Sequence, residues 1–264
     1  MLLSDIRYAL RSLWHAKGFA IVAILCLGFG IGVNTTIFSV MDGVLLKPYP
    51  FTDPDALRVI RSYNPKDDGT AGLSFLDMRD LKEANTAFTT IAASSGRSLT
   101  IADSGREPER YVGAGISWDL FPMLGEAPFL GHGFSADDDR LGAPGVVILG
   151  YELWMNRYQG DRSVLGRSVL VNAKPSVVIG VMSPKFQFPT NQELWVPLAP
   201  LAGQDARGAR GLFAFGRLKP GVSAAQAQQE LSGIAARLEK DNPSTNEVRL
   251  NTLSNAQFTM THPY

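Results

Sequence analysis

The chain has 264 residues, enough to bury a sizeable core. Lys plus Arg number 25 and Asp plus Glu number 25, so the formal net charge of zero excludes the strongly basic balance of a nucleic-acid binder. With Cys26 as the only cysteine, an intrachain disulfide and a four-cysteine zinc site are both excluded.

The opening stretch SDIRYALRSLWHAKG reads as an amphipathic helix within residues 1–17. Ser4 is a helix-capping type, and Ile6, Leu10, Leu13 and Trp14 recur at helical spacing, away from Arg7 and Arg11. Such a helix lies at a membrane interface, with Trp14 at headgroup level and Arg7, Arg11 and Lys17 as anchors. Packing as a short soluble helix on another subunit is the alternative.

From Gly18 to Met41 no side chain is charged. A bilayer core needs about 20 apolar residues in helical form, so residues 18–41 are a predicted transmembrane helix. The glycines of LCLGFGIGVNTTIFSV miss the G-x-G-x-x-G spacing of a dinucleotide turn. The dipeptide Gly-Lys of a Walker A loop occurs nowhere in the chain. No Ala-x-Ala follows the apolar run, which argues against a cleaved secretory signal, and Leu25 is too large to precede a lipoprotein cysteine. Gly28 and Gly32 lie four apart on one helix face, the small-xxx-small spacing that lets two membrane helices approach closely. A face turned to lipid is the alternative. Arg7, Arg11 and Lys17 before the span outnumber Lys47 and Arg58 after it. That bias places the N-terminus in the cytoplasm and everything after Met41 outside it.

KPYPFTDPDALRVI reads as an extended exit followed by a strand, because its prolines forbid a continuing helix. LSFLDMRDLKEANTAF reads as a helix opened by Ser74 three residues before Asp77. TTIAASS and RSLTIAD read as two strands punctuated by glycine, and ERYVGAGI as another. SWDLFPMLG reads as a short helix capped by Ser117. PGVVILG suits a buried strand, YELWMNRYQG a helix, and RSVLVNAKPSVVIGVM a hairpin turning at NAKP. ELWVPLA is a short strand, and GLFAFGRLKPGVS a strand ending in a Pro-Gly turn. Ser223 and Gln226 form a capping box for a helix whose Leu231, Ile234 and Leu238 share a face with Ala224 and Ala227. Pro243 stops it, and EVRLNTL is the last strand. Strand–helix–strand order thus recurs around a middle insertion, an α+β arrangement.

Nothing in the sequence nominates a catalytic centre. His15, His132 and His262 fall in different predicted elements, and His-Glu-x-x-His and Gly-x-Ser-x-Gly are absent. Asp137, Asp138 and Asp139 lack the alternating spacing of a calcium loop and read as solvated carboxylates at a helix start capped by Ser135. Phe213 and Phe215 alternate as in RNA-binding sheets, but without a basic surround they read as core.

Together DIRYALRSLWHAKGFAIVAILCLGFGIGVNTTIFSVMDGVLLKPYPFTDPDALRVI, LFPMLGEAPFLGHGFSADDD, VVILGYELWMNRYQGDRSVLGRSVLVNAKPSVVIGVMSPKFQFP, ELWVPL and RLKPGVSAAQAQQEL resemble the ABC transporter permeases of the macrolide-exporter, or MacB/FtsX-like, family. The resemblance implies one N-terminal transmembrane helix followed by a two-part extracytoplasmic domain. A Porter-like α/β part would hold residues 45–118 and 205–255, interrupted by a Sabre-like, mainly β part at 119–204. It also implies a second permease copy as dimer partner, a separate cytoplasmic ABC ATPase subunit that holds ATP and Mg, and in exporters a periplasmic adaptor protein. The membrane would be the bacterial inner membrane, and closure of its helices would be passed outward as a mechanical stroke, in efflux or export. The family supplies no catalytic residue, cofactor site or metal site to this chain, and no nucleic-acid partner. No ATPase domain precedes the first helix, and three further membrane helices would follow in the family, so the chain is expected to be an N-terminal fragment with 256–264 starting a linker. A free-standing membrane-anchored periplasmic binding module and a membrane-anchored hydrolase are the competing readings.

Overall fold

A computed structural model describes residues 17–41, 51–64, 69–184, 186–199, 208–241 and 247–252. The chain divides into two compact units, one containing Met1–Tyr49 and the other Pro50–Leu253. The first unit carries helix α1, Lys17–Met41, in which Lys17 is the sole charged residue. Among the described residues no helix is long and apolar enough to cross a membrane. The predicted 18–41 span also takes in Phe19, Ala20, Ala23, Ile24, Val40 and Met41, whose side chains lie outside the described ones. The interfacial helix before Lys17, the exit prolines Pro48 and Pro50 and the segment 256–264 lie outside them too.

The second unit is built on one sheet. Strand β1 is Leu57–Asn64, with β2 (Gly69–Ala71) beside it. Helix α2, Phe75–Ala84, starts where expected, because the Ser74 hydroxyl oxygen accepts the Asp77 N–H at 3.0 Å. TTIAASS and RSLTIAD, expected as two strands, form the single 15-residue strand β3, Phe88–Ala102. Gly96 sits mid-strand opposite Ala114 of β4 (Glu109–Ile116), within a register running from Ser94↔Ile116 to Ile101↔Glu109. A glycine costs a strand about 0.5–1 kcal/mol, which that continuous ladder overrides.

Helix α3 is Leu120–Leu124, and its N-cap is Asp119, which makes no side-chain cap bond. Ser117, expected as the cap, instead accepts the Ala93 N–H and donates to Asp119, tying the end of β4 back to β3. The strands β5 (Leu130–Gly131) and β6 (Gly145–Leu149) follow, then helix α4, Tyr151–Tyr158. Strands β7 (Ser168–Val171) and β8 (Lys174–Val181) form the expected hairpin, with Asn172 and Ala173 at φ 48° and 64° as a tight two-residue turn demands. Strand β9 is Leu194–Pro197 and β10 is Phe213–Leu218. Helix α5, Ala224–Asp241, opens on the predicted capping box: Gln226 Oε1 accepts the Ser223 N–H at 2.8 Å and Ser223 Oγ accepts the Gln226 N–H at 3.2 Å. Strand β11, Glu247–Thr252, completes the described chain.

The first and last regions interlock. Their strands lie in the order β11-β1-β10-β3, each antiparallel to its neighbour, so each strand–helix–strand unit leaves a gap that a strand of the other fills. Helices α2 and α5 cover one face, where Met78, Leu81, Leu231, Ile234 and Ala227 pack on Ile60, Phe88, Ile91 and Ala214. The Glu230 carboxylate on α5 accepts the Thr86 and Ala87 N–H groups and the Thr86 hydroxyl, pinning the turn between α2 and β3. Burial pushes that carboxyl up, but the Thr86 and Ala87 bonds outweigh it and hold it below its ordinary value of 4.5. The stability it contributes is therefore present above pH 4.5 and lost as acid titrates the lowered group. Glu230→Gln should cost about 1 kcal/mol at neutral pH and flatten the acid limb below that point. Urea titrations in micelles at pH 7 and pH 4 check this; an unchanged acid limb would count against it.

The middle region closes on itself. Pairings run β3–β4–β9–β6–β8–β7 and back to β3, where Ala102 meets Leu170. That ring encloses a second core of Leu99, Ile101, Val147, Leu149, Val169, Val178 and Leu194, sealed by Leu153, Trp154 and Tyr158 of α4. Strand β3 is long because it serves both cores: Phe88, Ile91 and Ala93 belong to the first, and Leu99 and Ile101 to the second.

Candidate functional site

The face of the β11-β1-β10-β3 sheet opposite α2 and α5 carries a junction of several elements. The registers Leu57↔Arg217, Val59↔Phe215 and Phe215↔Ala92 put Leu57, Val59, Ala92, Phe215 and Arg217 on that face, since paired residues point the same way. Aromatic rings cover it. Phe188 lies 5.1 Å from Phe215 and 5.2 Å, edge-on, from Phe51. Phe186, Phe121 and Trp195 extend the group, and the Trp195 indole N–H donates to the Phe188 carbonyl at 2.9 Å. Edge-to-face geometry is the preferred packing of such rings.

Residues 51–56, which lead into β1, are seated on this face. Phe51 is 7% exposed. The Thr52 N–H bonds the Leu124 carbonyl at 3.3 Å. Asp53 turns through φ 45° into a single 3₁₀ turn, Pro54–Ala56, and β1 follows. Arg217 reaches across that bend. Its Nε donates to Met123 O at 2.8 Å, Nη1 to Asp53 O at 3.2 Å and Nη2 to Thr52 O at 2.6 Å. One guanidinium thus joins the incoming segment, the end of α3 and strand β10, a fork that suits Arg's fixed planar donors. Gly125 makes room: it ends α3 at φ +78°, and a Cβ there would fall 2.3 Å from Thr52 Oγ1. Sequence reasoning missed Arg217, because its partners Thr52 and Asp53 stand 165 and 164 positions away and no local pattern marks them.

The predicted site residues are placed as follows. Gly28 and Gly32 share one face of α1, where a Cβ on either would meet nothing within 4 Å. Thr36 returns its hydroxyl to Gly32 O at 2.8 Å, as expected of a polar residue in an apolar helix. Lys17 is the exposed first residue of α1, whereas Arg7, Arg11 and Trp14 lie outside the described residues, as do His15 and His262. His132 is exposed, and its ring nitrogen faces the carbonyl of Gly133. No group of three or more His, Cys, Asp or Glu able to hold a metal ion occurs among the described residues. Phe215 is buried in the core and Phe213 half-buried.

The reading of Asp137–Asp139 as solvated carboxylates at a helix start needs correcting. The segment is a turn in which Ser135 and Asp138 bond each other, and no helix starts there. Asp139 is half-buried and accepts the Trp118 N–H at 3.1 Å and the Ala199 N–H at 2.8 Å, extending the β4–β9 ladder beyond its last pair. Burial raises its carboxyl above the ordinary value, against those two N–H bonds, with Asp119 adding to the rise.

None of these arrangements offers a nucleophile with a base, or an oxyanion pocket. What the arrangement does is hold Thr52 and Asp53 against α3 and β10.

Comparison with known proteins agrees with that reading of the fold. Residues 20–234 match the family described as the MacB-like periplasmic core domain. Over 188 residues, 67% of the chain, it is 26% identical to the "Probable syringafactin export ATP-binding/permease protein SyfD" of Pseudomonas syringae pv. syringae strain B728a, and spans 28% of that relative's length. Among solved structures, the periplasmic region of MacB from Actinobacillus actinomycetemcomitans superposes with TM-score 0.56 at 17% identity, covering 78% of this chain and 92% of that one. The extracellular domain of the ABC-type transporter YknZ from Gram-positive bacteria gives TM-score 0.55 at 17% identity, covering 74% and 99%. At such identities the structural likeness speaks for the fold alone.

Proposed function

Because the chain belongs to the MacB-like periplasmic core domain family of ABC permeases, we propose that it is a permease subunit that turns ATP hydrolysis by a separate ABC ATPase into movement of its extracytoplasmic domain. The observation that carries this is where the domain's two ends lie. Arg58 at the start of β1 pairs in register with Thr252 at the end of β11, on adjacent antiparallel strands. Such partners sit about 5 Å apart, so β1 begins and β11 ends side by side, which suits an insertion between two membrane helices.

In this proposal α1 spans the bacterial inner membrane with its N-terminus in the cytoplasm. Its uncharged run from Gly18 to Met41 supports that, since Phe19, Ala20, Ala23, Ile24, Val40 and Met41 add apolar residues to the described stretch, and a hydrocarbon core needs about 20. So do apolar side chains that its own unit leaves bare, Phe29 at 77% exposure among them. Gly28 and Gly32 would pack against a second permease copy. Residues 45–118 and 205–255 would form the Porter-like part and 119–204 the Sabre-like part. The two separate cores support the division, although β3 reaches from one core into the other. ATP and Mg would be held by the ATPase, and an adaptor protein would meet the outer domain. The export named for the Pseudomonas relative makes efflux or export the favoured work.

Affinity purification of the tagged chain from crosslinked membranes tests this. An ABC ATPase subunit recovered in stoichiometric amount is the expected result. A monomeric chain recovered without one would favour an anchored binding module instead.

A further inference from the structure

We infer that Arg217 is the positioning residue through which displacement of the segment arriving from α1 is passed into the domain; this rests on the permease reading above. The covalent route from that segment into β1 passes through a bend. Asp53 is left-handed, and two backbone bonds, Ala56 N–H to Asp53 O at 3.2 Å and Leu57 N–H to Pro54 O, close the short turn that follows. A joint of that kind transmits force poorly, because a few dihedrals absorb it. Arg217 bypasses the joint. It holds Thr52 O and Asp53 O upstream of the bend, while its own backbone lies in β10. Strand β10 is flanked by β1 and β3, and β3 continues into the ring of the middle region. The same guanidinium holds Met123 O at the end of α3, whose Phe121 meets Trp195 and Phe186 edge-on. A pull on Thr52 therefore reaches the sheet and the aromatic group together, with Phe51 as a second, apolar attachment against Phe188. Other donors do not substitute easily, since three carbonyls on two elements need a planar fork.

The experiment is hydrogen exchange on the full chain with its ATPase in lipid nanodiscs, with and without Mg-ATP, for wild type, Arg217→Met and Arg217→Lys. In the wild type, nucleotide should alter exchange in peptides over 51–57 and over 120–125. In Arg217→Met, exchange over 51–57 should rise about tenfold without nucleotide, and the nucleotide-driven difference over 120–125 should vanish. Protection over 88–102 and 145–149 should match wild type, which separates lost coupling from lost folding. Arg217→Lys should fall between the two, and carries the test if the Met variant loses protection throughout. A nucleotide-driven difference over 120–125 that survives in the variants overturns the role of Arg217 and leaves the permease reading standing. No nucleotide-driven difference anywhere in the wild type overturns that reading, and the role of Arg217 with it.

Discussion

Trp195→Ala should destabilise the domain by about 4 kcal/mol, the largest effect expected of any single substitution in it. Trp195 is 0% exposed and sits on β9, paired to Ala114 of β4 and to Ile148 of β6. Its ring lies 5.6 Å from Phe121 and 5.5 Å from Phe186. Truncation would open a cavity between strands held on both sides, which limits collapse, and would leave the Phe188 carbonyl without its indole donor. Against a typical total of about 5–15 kcal/mol, such a loss brings the domain close to unfolding at ambient temperature. Urea titration in micelles, read by far-UV circular dichroism, measures it. Trp195→Phe should recover part of the loss by filling volume without restoring the bond. Trp118→Ala, at a site 39% exposed, should cost far less. A shift for Trp195→Ala no larger than that for Trp118→Ala would mean that the aromatic group is not the central packing of the domain.

Arg157→Met should cost about 3 kcal/mol. The Arg157 and Asp103 side chains are 4% and 5% exposed and meet at 2.6 Å. Arg157 also bonds Glu109 at 2.7 Å and the Glu107 carbonyl at 3.2 Å, so α4 holds down the whole connection between β3 and β4. Burial lowers the guanidinium's proton affinity, but its bonds to Asp103, Tyr111 and Glu109 outweigh that and hold it above its ordinary value. Burial, and then the bond to Glu109, push the neighbouring Tyr111 hydroxyl up to about 12. Removing Arg157 strands the Asp103 carboxylate in a closed site, and a stranded buried charge costs more than the pair contributes. The test is therefore a cycle. Arg157→Met with Asp103→Asn should be more stable than Arg157→Met alone, whereas Glu109→Gln, at an exposed carboxylate, should change little. Strictly additive losses would show that the pair is not coupled.

Local structure was largely legible in the residues, because its causes act over a few positions. The Ser74–Asp77 cap, the Ser223–Gln226 box and the hairpin turn at Asn172-Ala173 are each settled by atoms within four residues of one another. The apolar stripe of α5, with Leu231, Ile234 and Ala227, lies against the sheet because helical periodicity alone dictates which residues share a face. The uncharged run that became α1, and the motifs that resembled an ABC permease, were equally visible in one dimension.

The misreadings have a common form: a local signal was outbid by a partner far along the chain. Gly96 did not break β3, because Ala114 pairs with it across β4. Ser117 did not cap α3, because Ala93 offered its hydroxyl a bond 24 positions away. Asp139 is not simply solvated, because Trp118 and Ala199 converge on it from just beyond the ends of β4 and β9. The interlocking of the two strand–helix–strand units, the closure of the middle ring and the grip of Arg217 on Thr52 and Asp53 belong to the same class. The sequence by itself determined most of the helices and strands, the apolar face of α5, and the family. Only the tertiary structure decided which strands neighbour which and which buried polar groups find partners. Those choices are made by burial and hydrogen bonding summed over the whole domain, and no window of a few residues contains that sum.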